Sequence, residues 1–221
     1  WEQILLDHPT DVLAIRLAHF THFYSGDARR MRDSAARVLP HWDTSIPGYG
    51  YIKGLYAFGL EESGDYQAAE RWGREAVDDN PSDIWATHAV THVFEMQERP
   101  DEGMAWIDEL SKQWTGMNNF TFHVWWHRAL FSLEKERYDE VLTLYDTQFR
   151  ATQTEEYLDM TNAIAMLWRL ESRGVDVGDR WEELADLSEQ RTQGHLLYFA
   201  DAHFIMALAR AGRTEAIQEM L

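Results

Sequence analysis

The chain contains no cysteine, which excludes disulfides, thiolate catalysis, Cys-ligated zinc and iron-sulfur chemistry together. Long apolar runs are missing as well. Stretches such as Ala163 to Trp168 are far too short to cross a bilayer, and the amino end lacks a basic-then-apolar signal pattern. The expectation is a soluble cytoplasmic protein with no membrane partner. Basic charge is scarce, with 20 Lys and Arg against 38 Asp and Glu and a formal net charge of −18. That balance opposes phosphate backbones and anionic lipid, so nucleic acid is not expected as a partner. Proline is limited to 5 residues and glycine to 13, mostly at turns. Alternating β-branched runs are absent, so no strand pattern competes with helix.

What the chain does have is length, apolar mass and a repeat. Its 221 residues, 45% of them hydrophobic, include ten Trp, nine Tyr and ten Phe, enough to bury a substantial core. Short polar turns recur around residues 26, 64, 98, 136, 174 and 212, at spacings of 38, 34, 38, 38 and 38. Each follows and precedes a stretch with apolar residues at helical spacing, as in Tyr51, Leu55, Phe58 and in Ala163, Leu167, Leu170. The unit predicted by this period is two helices joined by a tight turn, and the fold class is all-α. The opening Trp-Glu-Gln-Ile-Leu-Leu and the closing Glu-Ala-Ile-Gln-Glu-Met-Leu read as interrupted helices, so residues 1–221 are expected to be one continuous repeat domain within a longer chain.

The second repeat runs Gly50-Tyr51-Ile52-Lys53-Gly54-Leu55-Tyr56-Ala57 into Ser63-Gly64-Asp65-Tyr66, then Ala69, Ala76 and Pro81, and resembles the tetratricopeptide pattern. The resemblance implies an α-solenoid of about six helix-turn-helix repeats. It also implies small residues where paired helices approach, here Ala57, Ala129, Ala69 and Ala76. His19, Thr91 and Leu167 hold that position in the looser first, third and fifth repeats, and Val175-Asp176-Val177-Gly178 is inserted in the fifth. At the scale of whole segments, Leu39-Pro40-His41-Trp42 leading to Pro47-Gly48-Tyr49-Gly50-Tyr51, the run Ala86 to Val93, and Val124-Trp125-Trp126-His127-Arg128-Ala129-Leu130 are similar to the tetratricopeptide repeat protein 38 family, also called StaR-like. The similarity covers most of residues 1 to 170 and implies chiefly a fold.

Among ten histidines, His88 with His92 and His123 with His127 stand four residues apart, which places each pair on one helix face. The resemblance puts both pairs, with Glu95, Trp126, Trp168 and His203, on the first helices that line a concave groove. Arg16, Phe20, Tyr51, Phe58, Glu61 and Glu62 are expected to face it too, whereas His19 and His22 are expected to pack against a partner helix. A surface of aromatics and imidazoles suits a small polar molecule or a protein segment. The leading expectation is therefore a binding or scaffold protein with no cofactor and no resident metal. The alternative is an enzyme, metal-dependent in one form, because two imidazoles one turn apart can share an ion. Against it, His88-Ala89-Val90-Thr91-His92 lacks the Glu that metalloprotease helices place after the first His. A structural module that forms homo-oligomers is the third reading. No phosphate loop, dinucleotide fingerprint or nucleophile elbow is present.

Overall fold

The computed structural model describes residues 1–221. It is built from thirteen α-helices with no strand. None of them is long and apolar enough to cross a membrane. The chain divides into two compact units, Trp1–Gly116 and Met117–Leu221. The first unit holds α1 (Glu2–Asp7), α2 (Val12–Tyr24), α3 (Ala28–Val38), α4 (Tyr49–Glu62), α5 (Tyr66–Asp79), α6 (Ile84–Met96) and α7 (Pro100–Leu110). The second holds α8 (Phe120–Glu134), α9 (Tyr138–Leu144), α10 (Tyr157–Glu171), α11 (Arg180–Glu189), α12 (Tyr198–Arg210) and α13 (Thr214–Met220). A π-helical turn, Tyr145–Phe149, extends α9.

The period read in the sequence is a recurring backbone device. All six marker positions have positive φ: Gly26, Gly64, Glu98, Glu136, Gly174 and Gly212. At each, the following residue donates its N–H to a carbonyl five residues back: Asp27 to His22, Asp65 to Leu60, Arg99 to Phe94, Arg137 to Ser132, Val175 to Leu170 and Arg213 to Leu208. This left-handed termination closes the first helix of each pair and turns the chain into the second. Glycine adopts it freely, whereas Glu98 and Glu136 hold it with a Cβ and at a cost of about 1 kcal/mol or more each. Aspartates start several helices. Asp11, Asp27, Asp65 and Asp83 each accept a backbone N–H from the first turn of α2, α3, α5 and α6.

Packing follows the small residues. Ala57, Ala69, Ala76 and Ala129 are all fully buried, and Gly59 of α4 lies so close to α3 that an added Cβ would stand 2.6 Å from the Arg32 Cα. In the first unit α4 packs on α3, α5 and α6; in the second α10 packs on α8, α11 and α12. Within each unit first helices touch one another, α4 with α6 in the first, and α8 with α10 and α10 with α12 in the second. The second unit's core gathers Leu130, Phe149, Ile164, Leu167, Trp181 and Phe204, with Val177 of the inserted segment buried among them. The first unit is tied at its start by Glu2, whose carboxylate accepts from His22, Ser34 and Arg37.

Candidate functional site

In the first unit α6 carries His88, His92 and Glu95, with Trp85 one turn before them. Spacings of three and four residues stack these side chains on one face. Trp85 and His88 meet edge-on at 6.4 Å between ring centroids, and His88 and His92 at 4.2 Å. Phe58 of α4 packs against both imidazoles, at 5.5 and 5.6 Å. Next to them the Arg16 guanidinium of α2 lies between two rings, 3.8 Å from the Phe20 centroid and 4.0 Å from that of Trp85. Burial lowers Arg16 to about 10 against the pull of Asp83, still charged at neutral pH. So Arg16, Phe20, Phe58 and Glu61 share a face with the first histidine pair, while Tyr51 stands about half exposed.

The charge on that face is concentrated at the end of α4. Glu61 is 95% buried by its 5% residual exposure, and its Oε2 lies 3.3 Å from His92 Nδ1 without hydrogen-bond alignment, so the attraction is that of an ion pair. Burial opposes a charge on His92, but the Glu61 carboxylate beside it and the fields of Glu95 and Glu62 hold its pKa above the usual imidazole range. Glu62, exposed at the end of α4, is pushed up by partial desolvation and by the like charge of Glu61, with His92 opposing. His88 is buried at the base of the pair.

In the second unit α8 supplies His123, Trp126 and His127. Asn162 of α10 donates its amide to His123 Nδ1 at 3.0 Å, and the His123 and His127 Nε2 atoms are 3.2 Å apart. With both rings neutral, an amide donor on His123 Nδ1 leaves that ring's proton on Nε2, from which it can be donated to His127 Nε2. Trp126 stacks on His123 at 5.6 Å and an interplanar angle of 15°, and the Arg169 guanidinium of α10 lies over the Trp126 ring, 5.8 Å from its centroid.

The remaining expected residues stand apart from these groups. Trp168 is about half exposed on α10. His203 is held within its own helix, its Nδ1–H donating to the Phe199 carbonyl at 2.7 Å and its ring against that of Phe199. His19 and His22 are buried by packing: His19 lies against Phe58, and His22 is hydrogen-bonded to Glu2 at 2.9 Å. Sequence reasoning passed over Asn162. Its signal was an amide inside the apolar run Leu158 to Trp168, where a buried polar group requires a partner. No protein-family model matches the chain.

Proposed function

We propose that this chain is a tetratricopeptide-like helical-repeat binding protein, in which the histidine- and aromatic-rich faces of the first helices within each unit receive a small polar molecule or a partner segment. The six identical turns and the packing of first helix on first helix support the repeat reading, and the segments similar to the tetratricopeptide repeat protein 38 family point the same way. The observation that carries the binding reading is the Asn162–His123–His127 chain beside Trp126. Its imidazoles are oriented by an interior hydrogen bond and flanked by an aromatic ring, which is how a site holds donors and acceptors ready for a polar ligand. His88, His92 and Glu95, with Phe58 and Trp85, extend the same chemistry on the first unit.

A metal-dependent enzyme drawing on His88, His92, His123 and His127 is the second reading. It is favoured by the 3.2 Å between the His123 and His127 Nε2 atoms, since two nitrogens bound at about 2.0 Å to one tetrahedral ion lie roughly 3.3 Å apart. Affinity against pH separates the two. Citrate, followed by Trp fluorescence, should bind several-fold more tightly at pH 6 than at pH 8 if imidazoles receive an anionic ligand. Zn2+ should bind more weakly at pH 6, because protons compete for the same nitrogens. Equal affinities at both pH values, or responses unchanged in a His123→Ala variant, would remove the histidines from either role.

A further inference from the structure

Several acidic side chains in the first unit are matched by cations. Glu2 is met by Arg37 and His22, Glu70 by Arg74 and Arg99, and Asp79 by Lys53. Glu61 and Glu62 are different. Their neighbour is His92, and no Lys or Arg pairs with either. One ligand atom from each of Glu61, Glu62 and His92 lies within 4.8 Å of the others. Glu61 is fixed in the interior, where its Oε2 meets no hydrogen-bond donor in good alignment and His92 is the ion-pair partner beside it. Glu62, adjacent on the chain, is exposed and leaves the group open to solvent.

We infer that Glu61, Glu62 and His92 form a binding site for a divalent first-row metal ion, Zn2+ or Mn2+. Two carboxylates balance the ion's charge, and one imidazole favours these metals over Mg2+ and Ca2+, which take oxygen ligands. The 3.3 Å between Glu61 Oε2 and His92 Nδ1 matches the roughly 3.3 Å separating two ligands on a tetrahedral ion. Water occupies the remaining positions, with Phe58, 5.6 Å from the His92 ring, as an apolar wall. The donors come from the ends of α4 and α6, two helices packed together in one unit. The site shares His92 with the binding face proposed above but does not rest on that reading.

The test is calorimetric titration of the chelator-treated 221-residue chain with Zn2+, and separately with Mn2+, beside Glu61→Gln, Glu62→Gln and His123→Ala. The expected result is one ion per chain and at least tenfold weaker binding in each Glu variant. Thermal melts of the metal-free variants check the fold; should Glu61→Gln unfold, the exposed Glu62→Gln decides. Absence of stoichiometric binding would overturn the proposal. So would binding that survives both Glu variants and is lost with His123, which would instead identify the four-histidine reading.

Discussion

Replacing Gly59 with alanine sets two effects of known sign against each other. Helix propensity favours the change, because Gly in a helix interior is about 1 kcal/mol worse than Ala. Packing opposes it. The new Cβ would stand 2.6 Å from the Arg32 Cα, 2.9 Å from the Arg32 nitrogen and 3.2 Å from the Arg32 Cβ, whereas carbon atoms pack best at about 3.5–4.0 Å. The first two obstructing atoms are backbone, so no side-chain rotation relieves the overlap, and α3 and α4 must separate by roughly 1 Å. Overpacking of this kind costs about 1–3 kcal/mol. The separation also loosens the packing of Met31 on Ala57 and Phe58, residues buried at this contact. Gly50 is the internal control, since it lies in the same helix and a Cβ there meets nothing within 4 Å. Gly50→Ala should be neutral to mildly stabilising and Gly59→Ala destabilising, with a gap of about 2 kcal/mol in urea-unfolding free energy. A Gly59→Ala protein as stable as Gly50→Ala would refute the close approach of these helices.

The turns give a reciprocal pair. Glu136→Gly should stabilise by up to about 1 kcal/mol and Gly174→Ala should destabilise by a similar amount, because both occupy left-handed positions. Calorimetric melting would show shifts of about 2–4 °C in opposite directions, and same-sign shifts would contradict the equivalence of the turns. Asp83 is buried and its pKa is raised to about 6 by desolvation, with its cap hydrogen bonds and Arg16 opposing. The folded state therefore binds its proton more tightly than the unfolded chain, and the penalty, absent below about pH 4, is complete only above about pH 6. Asp83→Asn keeps the cap and should remove roughly 1.4 kcal/mol of the gain in stability seen between pH 7 and pH 5; an unchanged pH profile would dismiss the buried charge. His19 acts in the other direction. Burial, then Arg16 and His22, lower its pKa to about 3, so its contribution is full above about pH 6.5 and falls by roughly 2 kcal/mol by pH 5. In nuclear magnetic resonance titrations its ring signals should stay those of neutral imidazole to pH 5, and a midpoint near 6.5 would place it in solvent instead.

Much of the architecture was legible because the repeat is carried by residues whose physics is local. A left-handed helix end invites glycine, and the spacing of Gly26, Gly64, Gly174 and Gly212 exposes it even where Glu98 and Glu136 stand in. Pairing of His88 with His92 and of His123 with His127 was readable for the same reason, since one helical turn fixes it. Partners supplied by another helix were not. Nothing near His123 in sequence names Asn162, which is 39 residues away. Glu61 and Glu62 were read as groove residues, yet their meeting with His92 depends on how α4 packs against α6. The short α1, whose Glu2 ties down α2 and α3, lay in a segment read only as an interrupted helix. The π turn after α9 carries no local signal that distinguishes it from ordinary helix.

Native mass spectrometry of the freshly purified chain, beside a His123→Ala/His127→Ala variant of unchanged melting temperature, tests the binding role most directly. The expected result is a small-molecule adduct on the parent protein, or one formed on adding polar ligands, that is absent from the variant. Identical spectra for the two proteins across the ligands tried would contradict it and leave the ordered imidazoles as part of the helix packing alone.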